Sequence, residues 1–112
     1  MITAILFGDP QSVVFQKDAV AFLTAALKKH APRKAIDFPV LIRVKASFKT
    51  LKSKPYSRRH AKQPSILSMA SIVSDCLRPA GWITDDALVD QLVAEKCRTE
   101  EPYLEVTLKE AL

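Results

Sequence analysis

Glycine, cysteine and tryptophan are scarce in this chain, and acid is missing altogether from its middle. Two glycines among 112 residues, with 48% hydrophobic and 26% charged side chains, describe one compact domain, 1–112, rather than two domains or a disordered tail. A domain of this size buries roughly two thirds of its unfolded surface, so it can fold without staples. Cys76 and Cys97 allow at most one disulfide. Their settings, an apolar helical run and a strand end, read instead as two reduced thiols. No apolar run approaches the roughly 20 residues that span a bilayer, and the first residues lack the basic, apolar and small-residue layout of a secretory signal. The expected location is the cytoplasm, with no membrane partner.

The missing acid is informative because of its position. From 41 to 62 the sequence holds Arg43, Lys45, Lys49, Lys52, Lys54, Arg58, Arg59 and Lys62 without a carboxylate, a balance of +8, against +2 before it and −5 after it. A cation that neutralises a phosphate releases a condensed counterion, so the segment is a candidate nucleic-acid surface. The alternative is a solvated stretch that only aids solubility. Within it, 49–63 has no consistent period and contains Pro55, which reads as a long basic loop. Tyr56, between Lys54 and Arg58, adds a ring on which a base can stack, and His60 reads as a further phosphate contact beside Arg59 and Lys62.

Periodicity supplies the elements. Ile2 to Phe7 is short, apolar and stopped by Gly8-Asp9-Pro10, a first strand. The apolar residues Val13, Val14, Phe15, Ala19, Val20, Phe22, Leu23, Ala26 and Leu27 recur at helical spacing. They predict one face of a helix that starts at Ser12, or between Gln16 and Asp18, and ends at Lys28-Lys29-His30, where cations suit the C-terminal dipole. From Leu41 to Phe48 the pattern alternates, with Leu41, Arg43, Lys45 and Ser47 on one face and Ile42, Val44, Ala46 and Phe48 on the other. That is a half-buried strand with a basic polar face.

A second helix follows over Pro64–Leu77. Ile66, Met69, Ala70, Val73, Cys76 and Leu77 form its core stripe, widened by Leu67 and Ile72, while Ser65, Ser68, Ser71 and Ser74 repeat every three residues. Small hydroxyl residues let another backbone approach closely, against the sheet or a partner subunit. No histidine lies near them in sequence to activate a nucleophile. Leu88 to Cys97 combines a short helical turn with a strand, Arg98 to Pro102 is a charged turn, and Tyr103 to Leu108 alternates as a last strand. The order β-α-β-α-β-β predicts an α/β (α+β) sandwich, two helices on a small mixed sheet that ends in an antiparallel hairpin.

Between the second helix and the strand after it lies Pro79–Asp90, which concentrates Gly81, the sole tryptophan Trp82 and the pair Asp85-Asp86. Two carboxylates on a short loop can bind a divalent cation, cap a helix or be solvated. Asp86 is the candidate metal ligand, with Asp75, Asp85 and Asp90 the acids from which a site could be assembled.

Ser74-Asp75-Cys76-Leu77, then Ala80-Gly81-Trp82-Ile83-Thr84-Asp85-Asp86-Ala87-Leu88-Val89, then Lys96, resembles the C-terminal half of the RusA family of Holliday junction resolvases. That family has a helix ending in Asp-Ala-Leu, then Gly-aromatic-aromatic-x-Asp-Asp-x-x-Val, then a strand ending near a Lys. The resemblance runs from Pro64 to Leu108. It implies a small dimeric α/β protein that binds four-way DNA junctions and cleaves phosphodiesters with Mg²⁺ held by aspartates. The family's catalytic helix begins Asp-x-Asp-Asn with a Lys one turn later. Alignment on Gly81 puts Ser65 and Leu67 at the two Asp positions, Ser68 at the Asn and Ser71 at the Lys. Only Asp86, with Asp85 beside it, is retained.

Mg²⁺ takes near-octahedral oxygen ligation with one or two carboxylates besides phosphate oxygens, and Leu67 cannot ligate. The expectation is therefore a catalytically inactive, RusA-like protein that needs no cofactor. It would recognise branched or duplex DNA through Arg43, Lys45, the loop and Lys96, and act as a homodimer. Two alternatives stand beside it: a protein-interaction inhibitor or regulator of phage or mobile-element type on the same fold, and an active Mg²⁺-dependent junction endonuclease with Asp85 and Asp86 in its site.

Overall fold

Alternation of apolar and polar residues sets which side of each strand is buried. In the computed structural model, which describes residues 1–10, 18–49 and 65–111, β1 spans Ile2–Phe7, α1 Ala19–Lys28, β2 Val40–Lys49, α2 Ile66–Leu77, β3 Val89–Thr99 and β4 Tyr103–Glu110, with a 3₁₀ turn at Asp86–Leu88 before β3. Val40, Ile42, Val44, Ala46 and Phe48 of β2 point to one side together with Ala4, Leu104, Val106 and Leu108. Leu23 and Leu27 of α1 and Met69, Val73, Cys76 and Leu77 of α2 close over them in one cluster. The architecture is the expected α+β sandwich, with both helices on one face of a mixed four-stranded sheet.

The sheet order is β1-β4-β2-β3. β3 pairs with β2 in parallel, across the α2 crossover, whereas β4 lies between β1 and β2 and is antiparallel to both. The expected terminal hairpin is absent: β3 and β4 are consecutive in sequence but not neighbours. The connection through Glu100–Pro102 therefore passes the end of β2. Local hydrogen bonds hold it there. Thr99 Oγ1 donates to the Glu101 carbonyl at 2.7 Å and accepts from Ser47 Oγ at 2.7 Å, which gives the fully buried Ser47 hydroxyl its partner. Gly8 N donates to the Pro102 carbonyl at 3.0 Å.

The helices depart from the expected faces in a regular way. Leu67 does not widen the core stripe; it is 78% exposed, because at about 100° per residue it sits more than a right angle from the centre of that stripe. Val20 and Phe22 of α1 are 47% and 48% exposed, so the buried line of α1 is narrower than its composition suggests. A repeat of three drifts backwards by about 60° per step on an α-helix, and the four serines consequently wind around α2 rather than form a stripe. Ser65, Ser68 and Ser71 are exposed and Ser74 is half-buried, so they do not make a packing face against the sheet. Ser65 is instead the N-cap of α2, accepting from Ser68 N at 3.0 Å. α1 begins at Asp18, whose backbone is left-handed at φ 62°; the earlier starting points at Ser12 and Gln16, with Val13, Val14 and Phe15, lie outside the described residues.

Candidate nucleic-acid interface

With both helices on one side, the other face of the sheet is open. Register fixes what stands on it. Arg43 lies between Thr107 and Val93, Lys45 between Glu105 and Glu95, and Ser47 between Tyr103 and Cys97, while Thr3, Ile5 and Phe7 of β1 extend the same rows. The alternation of β2 thus delivers Arg43 and Lys45 to one surface, as expected, and Lys109 of β4 joins them opposite Leu41. Arg43, Lys45 and Lys109, with the hydroxyls of Thr3 and Thr107 and apolar walls from Leu41 and Val93, line a shallow basin of about 410 Å³.

The cations of this face are partly neutralised by its own acids. Arg43 donates to Glu95 Oε1 through Nε at 3.1 Å and Nη2 at 2.6 Å. A pair this exposed contributes less than about 1 kcal/mol, but it lowers the charge offered to a ligand. Lys45 faces Glu105 and Glu95 across its two ladders. Its pKa is raised, first by a hydrogen bond to the Tyr103 side chain and then by the charges of Tyr103, Cys97 and Glu95. The β2 surface can receive phosphate oxygens, but not as the uniform cationic stripe that its own sequence suggests. Glu95, Glu105 and Lys109 are not legible from β2. The alternation of β4 assigns Lys109 and Glu105 to a face, but only the strand order brings that face beside β2.

The remaining expected contacts divide in three. Lys49, exposed at the end of β2, shares the open-face register with Thr99 and is the root of the basic loop. Lys52, Lys54, Tyr56, Arg58, Arg59, His60 and Lys62 lie outside the described residues. Lys96 belongs to neither group: it pairs in register with the buried Ala46, on the helix side of the sheet. There its ammonium stands 5.6 Å from the centre of the Phe48 ring. Partial burial, and then the nearby Arg98, lower its pKa.

The Asp-Asp turn lies at the far end of α2 from that loop. Gly81, at φ +84°, closes α2 in a Schellman motif: Trp82 N donates to the Leu77 carbonyl and Gly81 N to the Arg78 carbonyl, both at 3.0 Å. The turn drives Trp82 into the core, fully buried, with Nε1 donating to the Leu27 carbonyl at 2.8 Å. Asp85 then caps the 3₁₀ turn by accepting from Ala87 N at 2.9 Å. Asp86 Oδ2 lies 4.0 Å from Arg78 Nε, both side chains 62% exposed.

Ser65 and Leu67 are at the opposite end of the 12-residue α2, about 18 Å away at 1.5 Å per residue. The positions that align with the family's acids and the retained Asp86 therefore do not meet within one chain. Among the described residues no three His, Cys, Asp or Glu side chains come together, so Asp75, Asp85, Asp86 and Asp90 do not assemble a site either. This donor set, two neutral hydroxyls, a hydrocarbon and a distant carboxylate, does not fit Mg²⁺.

No described helix is long and apolar enough to cross a membrane. No curated protein matches the chain. The family model described as Endodeoxyribonuclease RusA matches residues 8–109, a range that runs from the end of β1 almost to the end of β4. The chain belongs to the RusA endodeoxyribonuclease family.

Proposed function

We propose that this protein binds branched or duplex DNA through its basic segment without cleaving it by Mg²⁺ chemistry. The observation that carries the reading is the contrast between two parts of the same family fold. The segment from Arg43 to Lys62 holds eight cations and no carboxylate, while the first turn of α2 holds Ser65, Leu67 and Ser68. Because Arg43 and Lys45 already face Glu95 and Glu105, the phosphate-binding weight falls on Lys49 to Lys62. Acids near the start of α2 would repel the DNA backbone, and their replacement by neutral side chains favours binding over catalysis.

A gel shift with a four-way junction over a salt series, with a cleavage assay in Mg²⁺ and Mn²⁺, tests both halves. Binding should weaken linearly in log salt, and the junction should stay intact. No binding at low salt would remove the DNA reading. It would favour the protein-interaction alternative if a stoichiometric partner were captured regardless of the loop charges. Metal-dependent cleavage lost in Asp86→Asn would restore the nuclease.

A further inference from the structure

The open face of the sheet carries a second pattern besides its charges. Phe7 of β1 stands opposite Tyr103 of β4, and Tyr103 stands opposite Ser47 of β2. Two rings therefore occupy one row on adjacent strands, with Cβ atoms roughly 4.5–5.5 Å apart. Phe7 is 76% exposed, more than any other described aromatic residue. Tyr103 is half-buried, and its side chain is hydrogen-bonded to Lys45. Neither ring is part of the core cluster, so the fold itself does not use the Phe7 ring for packing.

Cations flank this row along the strands. Open-face positions recur every second residue, about 7 Å apart: Lys49 lies one step to one side of the rings, and Lys45, Arg43 and Lys109 follow in successive rows on the other. The hydroxyls of Thr3 and Thr107 stand beside Arg43, 3.5 Å from each other. Glu95 and Glu105 are set among these four cations. A duplex turns its phosphates outward and keeps its bases stacked inside, so it would meet both carboxylates and offer the rings nothing. An unpaired strand presents the π-faces of its bases to aromatic side chains, and its exocyclic amino groups can donate to carboxylates.

We propose that the open face of the sheet is a binding site for a single, unpaired nucleic-acid strand, with bases stacked on Phe7 and Tyr103 and phosphates received by Lys45, Arg43 and Lys109. The site is built from the strands themselves and is separate from the basic loop, so it does not rest on the loop holding a duplex. Stacking accepts every base. The face therefore selects the unpaired state of a strand rather than its sequence.

Fluorescence anisotropy of a labelled oligothymidylate, compared with a blunt duplex, tests this on the full chain without metal. Phe7→Ala should weaken binding of the single strand about tenfold and of the duplex by less than about twofold. Phe7→Trp keeps a stacking face and should bind the strand at least as tightly as the parent. Phe7→Ala should leave the slope of log affinity against log salt unchanged, whereas Lys109→Gln should reduce it by about 0.7, the loss of one phosphate contact to a single strand. Circular dichroism checks that each variant is folded, which the exposure of Phe7 and Lys109 favours. No single-strand binding at low salt, equal losses on strand and duplex, or a Phe7→Trp variant as weak as Phe7→Ala would each overturn the proposal. So would an unchanged affinity for the strand in Phe7→Ala, and a captured protein released by that substitution would then give the face to a protein partner. Strand binding that persists where no junction binding is found would support this site while removing the one on the loop.

Discussion

Gly81→Ala isolates the backbone cost of the turn that sets the Asp-Asp pair. At φ +84° a Cβ added to Gly81 would meet only the Ala31 Cβ, at 3.8 Å, an ordinary contact, so steric repacking contributes nothing. What remains is the left-handed conformation, about 1–2 kcal/mol for an L-residue. Against it stands the smaller entropy of the unfolded alanine chain, roughly 0.4–1 kcal/mol in the opposite sense. The expected net loss is about 1 kcal/mol, or about 4 °C in Tm for a domain near this size. Urea unfolding followed through Trp82, the only tryptophan and fully buried one residue away, reports the change directly. Gly81→Asn should lose less, since asparagine tolerates the left-handed region. An alanine variant as stable as the parent, or an asparagine variant worse than alanine, would refute the assignment of this turn.

Exposure separates two leucines of α2: Leu77→Ala, fully buried, should cost about 2–5 kcal/mol, whereas Leu67→Ser, 78% exposed, should stay within about 0.5 kcal/mol, both read by urea midpoints. A thiol reagent should label Cys97 in the native protein and reach the buried Cys76 only on unfolding. Burial raises the Cys76 pKa above 9.0, opposed by a hydrogen bond with Thr24. The folded state therefore keeps this proton when the unfolded state has lost it, and stability should fall as pH climbs past 9.0. Cys76→Ala should flatten that alkaline decline. Reversing Lys52, Lys54, Arg58 and Arg59 to Glu should abolish junction binding in the gel shift, and Arg43→Glu should weaken it by less. An equal loss from Arg43→Glu would move the interface onto the sheet.

Element identity and the buried face of each strand were legible because local periodicity records them. β2 alternates in sequence from Leu41 to Phe48, and the bounds of β1, β2 and α2 fall within two residues of expectation. Partnership was not legible. Nothing in Tyr103–Glu110 states that it will slip between β1 and β2, since hydrophobic alternation satisfies a core face whichever strand lies alongside. The same gap hid Glu95 and Glu105 as neighbours of Arg43 and Lys45 and made Lys96 look like one more cation of a common surface. Leu67 and Phe22 misled for another reason: hydrophobic content was read as burial, although helical phase alone decides it. The Asp-Asp pair was recognisable by motif, but its distance from the start of α2 depends on the direction in which α2 crosses back over the sheet.

The position of β4 carries a consequence for synthesis. β4, the last of the described strands in chain order, is an inner one: Ile2 pairs with Leu108 and Ile42 with Leu108 on the other side, so a nascent chain that has emerged only through β3 offers β1 no neighbour and leaves one edge of β2 bare. β2, α2 and β3 form a contiguous unit that can assemble early, and β1 must wait. Pairings of such long sequence separation slow folding and expose strand edges in the interval. Docking of β4 between β1 and β2 is the step that completes the sheet.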